Sequence, residues 1–438
     1  MKHTDFAPTP PMGWNSWDCY GAAVTEEQLL GNARYMADKL LKHGWDIVTC
    51  DIQWSEPNAR DTFYTPNAPL CMDEYSRLIP AENRFPSSAG GRGFLPISRE
   101  IHKMGLRFGI HIMRGIPRQA VYLKTKIKGT DLTADKVANP FSTCPWNSDM
   151  YGVDPHSPGA QAYYDSLFEL YAEWEIDFVK VDDIASTAGH HTDRGRVGSV
   201  PAVAEIEMIR RAIDKCGRPI ILSLSPGPAA VEYSWMFRKN ANMWRMTNDV
   251  WDNWNAILHM FERCEAWQGH GGGGCWPDCD MLPFGHINCN SRFGDNYCRL
   301  TQDEQITMMN LWSIFRSPLI VGAELRDNDD FTLSLLTNDE VLRLNKHSYS
   351  PNQIYRNRES VAWYSFDDGS DGGGLYYIAL FNLKDEPATV TVRADQVDAF
   401  DLRGRKVRDL WRHEDIGVTE DSVSANLPPH GSVIYRLT

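Results

Sequence analysis

Asp177-Phe178-Val179-Lys180-Val181-Asp182 is the stretch on which the fold turns. It is a short apolar run, rich in β-branched residues and ending in a carboxylate, which is the pattern of a buried strand. A helical segment over 159–175 precedes it. The same alternation extends in both directions. Toward the N-terminus, strand Leu106–Ile112 follows a helical turn around Leu95–Met104, and strand Ile47–Ile52 follows a helix from Thr25 to His43. That helix opens on a capping pair, Thr25 with Gln28, and stops at Gly44. Met12–Trp17 is the first strand. Toward the C-terminus come helix 203–215 with strand Pro219–Leu224, and strand Met243–Met246 with helix 252–267. Strand Asp280–Leu282 with helix 303–315, and strand Leu319–Val321 with helix 332–344, complete the series.

Eight strand–helix units predict a (β/α)8 TIM barrel. A doubly wound open sheet is the alternative, but no G-x-G-x-x-G follows the first strand and no P-loop occurs. The run Gly271–Gly274 lacks a following Lys-Ser/Thr and reads as a turn. Two long loops, 53–94 and 113–158, fall after strands, where they would wall an active site. The second carries Arg114 and Arg118, which either reach a second sugar or pair with surface carboxylates. From residue 348 the pattern changes. Val361–Phe366, Leu375–Asn382, Ala388–Arg393 and Ser432–Leu437 read as strands separated by turn residues, among them Gly372–Gly374. The expected organisation is a catalytic barrel over 1–347 and a C-terminal antiparallel β-sandwich over 348–438.

Composition narrows the function. The 438 residues carry 58 Asp and Glu against 44 Lys and Arg, a net charge of −14, which argues against nucleic acid and anionic membranes as partners. No apolar stretch is long enough to span a bilayer and no leader pattern opens the chain, so a cytoplasmic protein is expected. The ten cysteines are scattered, so reduced thiols are the default. Cys275, Cys279, Cys289 and Cys298, with His270 and His286 nearby, raise a zinc-dependent hydrolase as a second class of enzyme, although their spacing matches no standard zinc motif.

In a barrel, polar residues at the C-terminal ends of strands are the catalytic candidates. Asp51, Asp182 and Asp249 each follow an apolar strand. Each would serve equally as a helix N-cap. Lys180 is different, because it lies inside the apolar run, two residues before Asp182, so both side chains share one face. Arg245 repeats that arrangement four residues before Asp249. Two carboxylates on different strands can flank a glycosidic bond, one ionised and one holding a proton. Lys180 would keep Asp182 ionised, leaving Asp249 as the acid. Trp14 and Trp17 either stack on a sugar face or fill the core.

With those residues identified, the sequence resembles glycoside hydrolase family 27, the α-galactosidases and α-N-acetylgalactosaminidases, over nearly the whole chain. The resemblance is carried by Pro11-Met12-Gly13-Trp14-Asn15-Ser16-Trp17, Asp177–Asp182, Trp244–Val250, Trp276-Pro277-Asp278-Cys279-Asp280-Met281-Leu282 and Ser317-Pro318-Leu319. It implies a barrel followed by an antiparallel β domain, no metal or organic cofactor, and a retaining double displacement on an oligosaccharide or glycoside. Asp182 would be the nucleophile and Asp249 the acid/base, with Trp14, Asp51, Lys180 and Arg245 binding the sugar. The β domain offers a surface for a homo-oligomer.

Three departures from the family pattern bear on specificity and compartment. The α-galactosidases carry two adjacent Asp where this chain has Asp51-Ile52. A sugar hydroxyl set against Ile52 would lose about 1–3 kcal/mol, whereas β-L-arabinopyranose, which lacks the hydroxymethyl arm of α-D-galactose, would be accommodated. Ser225 falls where the α-galactosidases place a Glu, leaving room for a 2-acetamido group. Ile184 replaces the cysteine that usually follows the nucleophile, in keeping with a reduced enzyme. α-Galactosidase activity is therefore the family-level expectation, with β-L-arabinopyranosidase and α-N-acetylgalactosaminidase as alternatives and an inactive sugar-binding protein as a different class.

Overall fold

The computed structural model describes residues 2–60, 63–187, 200–289, 291, 294, 296–369 and 374–438. Eight parallel strands form the barrel: β1 Met12–Asn15, β2 Ile47–Cys50, β3 Arg107–Met113, β4 Phe178–Asp182, β5 Ile221–Leu224, β6 Met243–Arg245, β7 Trp276–Asp278 and β8 Leu319–Val321. Their spatial order is β7-β6-β5-β4-β3-β2-β1-β8. Leu282 closes the ring. Its amide donates to the Ile320 carbonyl (2.7 Å), and its carbonyl accepts from the Gly322 amide (3.1 Å).

Strand alternation sorts the side chains into two environments. Ile47, Phe178, Ile221, Met243 and Trp276 form an apolar cluster of their own with Ala7. Their neighbours in sequence, Val48, Val179, Leu222 and Trp244, belong to the larger core shared with the helices. The interior therefore begins as an apolar plug. Two residues further along each strand it turns polar, with Lys180, Ser223, Arg245 and Asp278. The barrel directs its charged residues to one end, as the spacing of Lys180 and Asp182 predicts.

Several boundaries differ from the sequence reading. The seventh strand is Trp276–Asp278, four residues before the predicted Asp280–Leu282, and Asp280 sits beyond it at φ +78°. The first strand ends at Asn15, and Trp17 opens a short helical turn. The helix expected over 332–344 is two helices, Asp330–Leu336 and Asp339–His347, separated because the Asn338 side chain caps the second. Loop 113–158 is structured. It holds helix Arg118–Leu123 and a small sheet of Ile116–Pro117, Met150–Val153 and Ala138–Thr143.

The C-terminal strands form an antiparallel six-stranded sheet and a two-stranded one, Ala388–Arg393 with Ser422–Leu427. Tyr349–Arg356, Lys406–Asp409, Glu414–Val418 and Ser422–Leu427 were not legible as strands. Gly372 and Gly373 of the predicted turn lie outside the described residues. The larger sheet packs on the barrel helix Gln302–Phe315. Thr307 Oγ1 donates to the His430 carbonyl there (2.6 Å).

Candidate active site

The polar end of the barrel opens into a cavity of about 470 Å³, the size range of small-ligand sites. Its lining includes Asp51, Lys180, Asp182, Ser225, Arg245 and Asp249, each predicted from sequence. None of the three strand-end carboxylates is a helix cap. The helices that follow them are capped by Phe94, Ala202 and Asn253.

Asp182 is 8% exposed at the end of β4. Its Oδ1 accepts the Asp183 amide at 2.8 Å, and its Oδ2 lies 3.3 Å from His111 Nε2. The other nitrogen of His111, Nδ1, is 2.7 Å from Asp51 Oδ1. Lys180 Nζ donates to Asp51 Oδ2 (3.1 Å), and so does Asn15 Nδ2 (2.8 Å). Burial disfavours charge on all of these groups, but their mutual attraction outweighs it. Asp182 and Asp51 are held below the usual carboxylate range, while His111 and Lys180 are raised. Lying between two carboxylates, His111 is in an environment that favours its positive form. The direct cationic neighbour of Asp182 is thus His111. Lys180, given that role from sequence, commits its amine to Asp51 and acts on Asp182 at longer range.

This network carries a prediction. His111→Asn removes the cation facing Asp182, so the carboxylate loses stabilisation and its pKa rises. The acid limb of the pH profile of kcat/KM should move up by about one unit. An unmoved limb would show that His111 does not tune Asp182.

Asp249 is placed differently. Its side chain is 65% exposed, and its Oδ1 accepts from Arg245 at 2.9 Å. Arg245 also pairs with the buried Asp280 at 2.6 Å. Burial, with Asp249 and Asp278 nearby, raises Asp280, while Arg245 opposes this. Gly227 lets the loop carrying Ser225 close onto the loop carrying Asp249. A β-carbon there would fall 2.0 Å from the Thr247 carbonyl oxygen. The backbone after Asp182 is clamped from the opposite side. Asp183 sits at φ +55°, and Arg114 donates both to its carbonyl (2.6 Å) and to its carboxylate (2.6 Å).

Three expectations are corrected. Trp14 does not line the cavity. Alternation along β1 turns it outward, where it is 1% exposed, lies edge-on to Tyr20 and donates to the Ala323 carbonyl. Trp17, freed from the strand, lines the cavity in its place. It stacks on Tyr64, which also touches Trp146. Ile52 belongs to an apolar cluster with Met113, Cys144 and Met150, against which Trp17 and Tyr64 pack, so it backs the aromatic wall. Arg114 pairs with buried carboxylates, Asp183 and Glu205, and Arg118 donates to the Met150 carbonyl and lies over the Tyr151 ring. Among the described residues no three His, Cys, Asp or Glu side chains are placed to hold a metal ion, including the Cys275–Cys298 group. No disulfide joins the ten cysteines.

Sequence reasoning missed His111, Asp280, Asp18, Tyr64 and Trp146 as pocket residues. A signal existed for His111, an isolated ionisable residue inside an apolar strand, as Lys180 is.

A parallel barrel with two carboxylates and a cationic cluster at its C-terminal end, bordered by aromatic rings, is the arrangement of a glycoside hydrolase. Comparison with known proteins specifies it. The family model for Alpha galactosidase A matches residues 153–347, and that for the Alpha galactosidase C-terminal beta sandwich domain matches residues 366–437. A family 27 β-L-arabinopyranosidase from Geobacillus stearothermophilus is 53% identical, with a TM-score of 0.94, covering 100% of this chain and 98% of that one. A provisional α-N-acetylgalactosaminidase from Bacillus halodurans is 50% identical, with a TM-score of 0.86, covering 98% and 97%. Alpha-galactosidase 2 of Arabidopsis thaliana is 23% identical over 100% of this chain and 91% of its own length. The chain belongs to glycoside hydrolase family 27.

Proposed function

We propose that this enzyme is a retaining exo-glycosidase that releases terminal β-L-arabinopyranose. The observation that carries the sugar assignment is the apolar wall of Trp17 and Tyr64, which Ile52 backs in place of a carboxylate. Where α-galactosidases of the family have a second carboxylate to hold the hydroxymethyl side of galactose, this chain has Ile52, Met113 and Met150 backing Trp17 and Tyr64. A sugar without that arm leaves no hydroxyl stranded there. The 53% identity to an arabinopyranosidase, against 23% to a plant α-galactosidase, supports the same assignment.

In the proposed reaction Asp182, buried and ionised, attacks the anomeric carbon, and Asp249 donates a proton to the departing oxygen. The glycosyl ester is then hydrolysed by water that Asp249 deprotonates, so the anomeric configuration is kept. Burial suits the nucleophile, which must reach the sugar alone. Exposure at the mouth suits the acid/base, which must meet both aglycone and water.

A second reading rests on Ser225. Its hydroxyl is enclosed without a partner, and it is small enough to leave space beside it for a 2-acetamido group. Nitrophenyl β-L-arabinopyranoside, α-D-galactoside and α-D-N-acetylgalactosaminide, compared by kcat/KM, decide between the sugars. The arabinopyranoside is expected to lead by at least about tenfold. A lead by either of the others sinks the assignment.

Ile52→Asp tests the cause. It should raise the galactoside-to-arabinopyranoside ratio by about tenfold or more, the worth of one hydrogen bond to a buried hydroxyl. It should also lower the melting temperature, because a carboxylate enters an apolar cluster. A ratio that stays put in a folded variant would show that position 52 does not select the sugar.

A further inference from the structure

Among the described carboxyls of the cavity, one has neither a part in this scheme nor a directly paired cation. Asp18 follows Trp17 in the helical turn after β1 and borders the cavity, yet it is only 2% exposed. Its Oδ2 is enclosed and has no hydrogen-bond partner. Gly322, just after β8, makes the space for it. A β-carbon there would stand 2.0 Å from that oxygen.

Among the described residues, no cation is paired directly with Asp18. Its charged neighbours are Asp280, Lys180, Asp249 and Asp51. Lys180, the one cation among them, is hydrogen-bonded to Asp51, and Arg245 is shared between Asp249 and Asp280. Burial, and then the charge of Asp280, push the Asp18 carboxyl well above the usual range. Both effects favour its acid form, which can donate as well as accept. A buried polar group with no partner is unfavourable by about 1–3 kcal/mol. Such groups are uncommon in folded proteins unless something else completes them. Oδ2 is sealed against Gly322, so a sugar hydroxyl in the cavity would meet the edge of the carboxyl that lines it.

We propose that Asp18 is a further specificity-determining residue of the sugar site, its carboxyl hydrogen-bonding one ring hydroxyl of the bound glycone. This rests on the cavity being the sugar site, as argued above. The contact is distinct from those of Asp51 and Lys180, which are hydrogen-bonded to each other without substrate. Asp18 is the group that substrate completes.

The test pairs the protein with its substrate. Kinetics are measured on the preferred nitrophenyl glycoside and on its 2-, 3- and 4-deoxy forms, for wild type, Asp18→Asn and Asp18→Ala. Where a deoxy form turns over too slowly, competitive inhibition by the deoxy sugar gives the same ratio. In wild type, one deletion should lower kcat/KM by about tenfold or more. Asp18→Ala should lose about as much on the parent glycoside, chiefly in KM, and should be nearly indifferent to that one deletion. Asp18→Asn, which keeps a donor and an acceptor, should stay within about threefold of wild type. A purely structural role would lower activity without erasing the penalty of any single hydroxyl. Unchanged kinetics in Asp18→Ala, or all three penalties persisting in it, would overturn the proposal. Should Asp18→Ala not fold, Asp18→Ser carries the same comparison. Asp182→Asn run alongside separates the two readings. If it retains turnover, the cavity is not the sugar site. If it is inactive while the Asp18 variants keep every penalty, only the Asp18 assignment fails.

Discussion

Asp182→Gly is expected to lower kcat on a nitrophenyl glycoside by roughly four orders of magnitude or more, and to recover turnover when azide is supplied. The argument starts from what surrounds the group. Asp182 is ionised because His111 stands against its Oδ2 and the Asp183 amide against its Oδ1. The nearby carboxylates are committed elsewhere, Asp51 to His111 and Lys180, and Asp280 to Arg245. Among the described residues of the cavity, Asp182 is the carboxylate at a strand end that no lysine or arginine pairs with directly. Removing the side chain leaves a space beside His111 and Lys180 that suits a small anion. Azide entering there attacks from the face Asp182 used, so the glycosyl azide carries the configuration opposite to that of the substrate. The product is read by NMR. Turnover near that of wild type would remove Asp182 from the nucleophile's role. An azide product with the substrate's own configuration would contradict the double displacement.

The polar interior of the barrel was legible because strands have a period of two. Lys180 and Asp182 were placed on one face from their spacing alone, and Arg245 by analogy, and all three line the cavity. The same rule read more strictly would have turned Trp14 away, since β1 alternates and Asn15, not Trp14, reaches Asp51. The sequence pattern carries the first strand through Trp17, two residues past its end at Asn15. His111 was legible in principle, directly beside Lys180 in the register of β3 and β4. What no local pattern could supply was pairing. That Lys180 serves Asp51 while His111 serves Asp182 is decided by how neighbouring strands are staggered. Tyr64 and Trp146 come from long loops, and only the closed fold brings them to Trp17. In the β domain the missed strands are short or polar. Glu414–Val418 is exposed throughout, so it has no buried face to write an alternation into its sequence.

Asp249→Ala should divide substrates by leaving group. For an alkyl glycoside or a natural disaccharide, the departing oxygen is a poor leaving group and needs a proton as the bond breaks. Loss of the acid should lower kcat/KM by roughly 10²–10⁴-fold. For a dinitrophenyl glycoside the leaving group departs unaided, and kcat/KM, which reports the first displacement, should change little. The second displacement also needs Asp249, now as the base that activates water. On the activated substrate kcat should therefore fall while kcat/KM holds, KM should drop with it, and a burst of phenol should precede slow turnover as the glycosyl ester accumulates. The position of Asp249 is what makes this separation clean. It is exposed at the mouth and anchored to the enzyme through Arg245, so its removal should leave the buried Asp182–His111–Asp51 network in place to form the ester. Arg245 keeps its pairing to Asp280 and stays seated. Equal losses in kcat/KM on alkyl and dinitrophenyl substrates would mean that Asp249 acts on sugar binding and not on the proton.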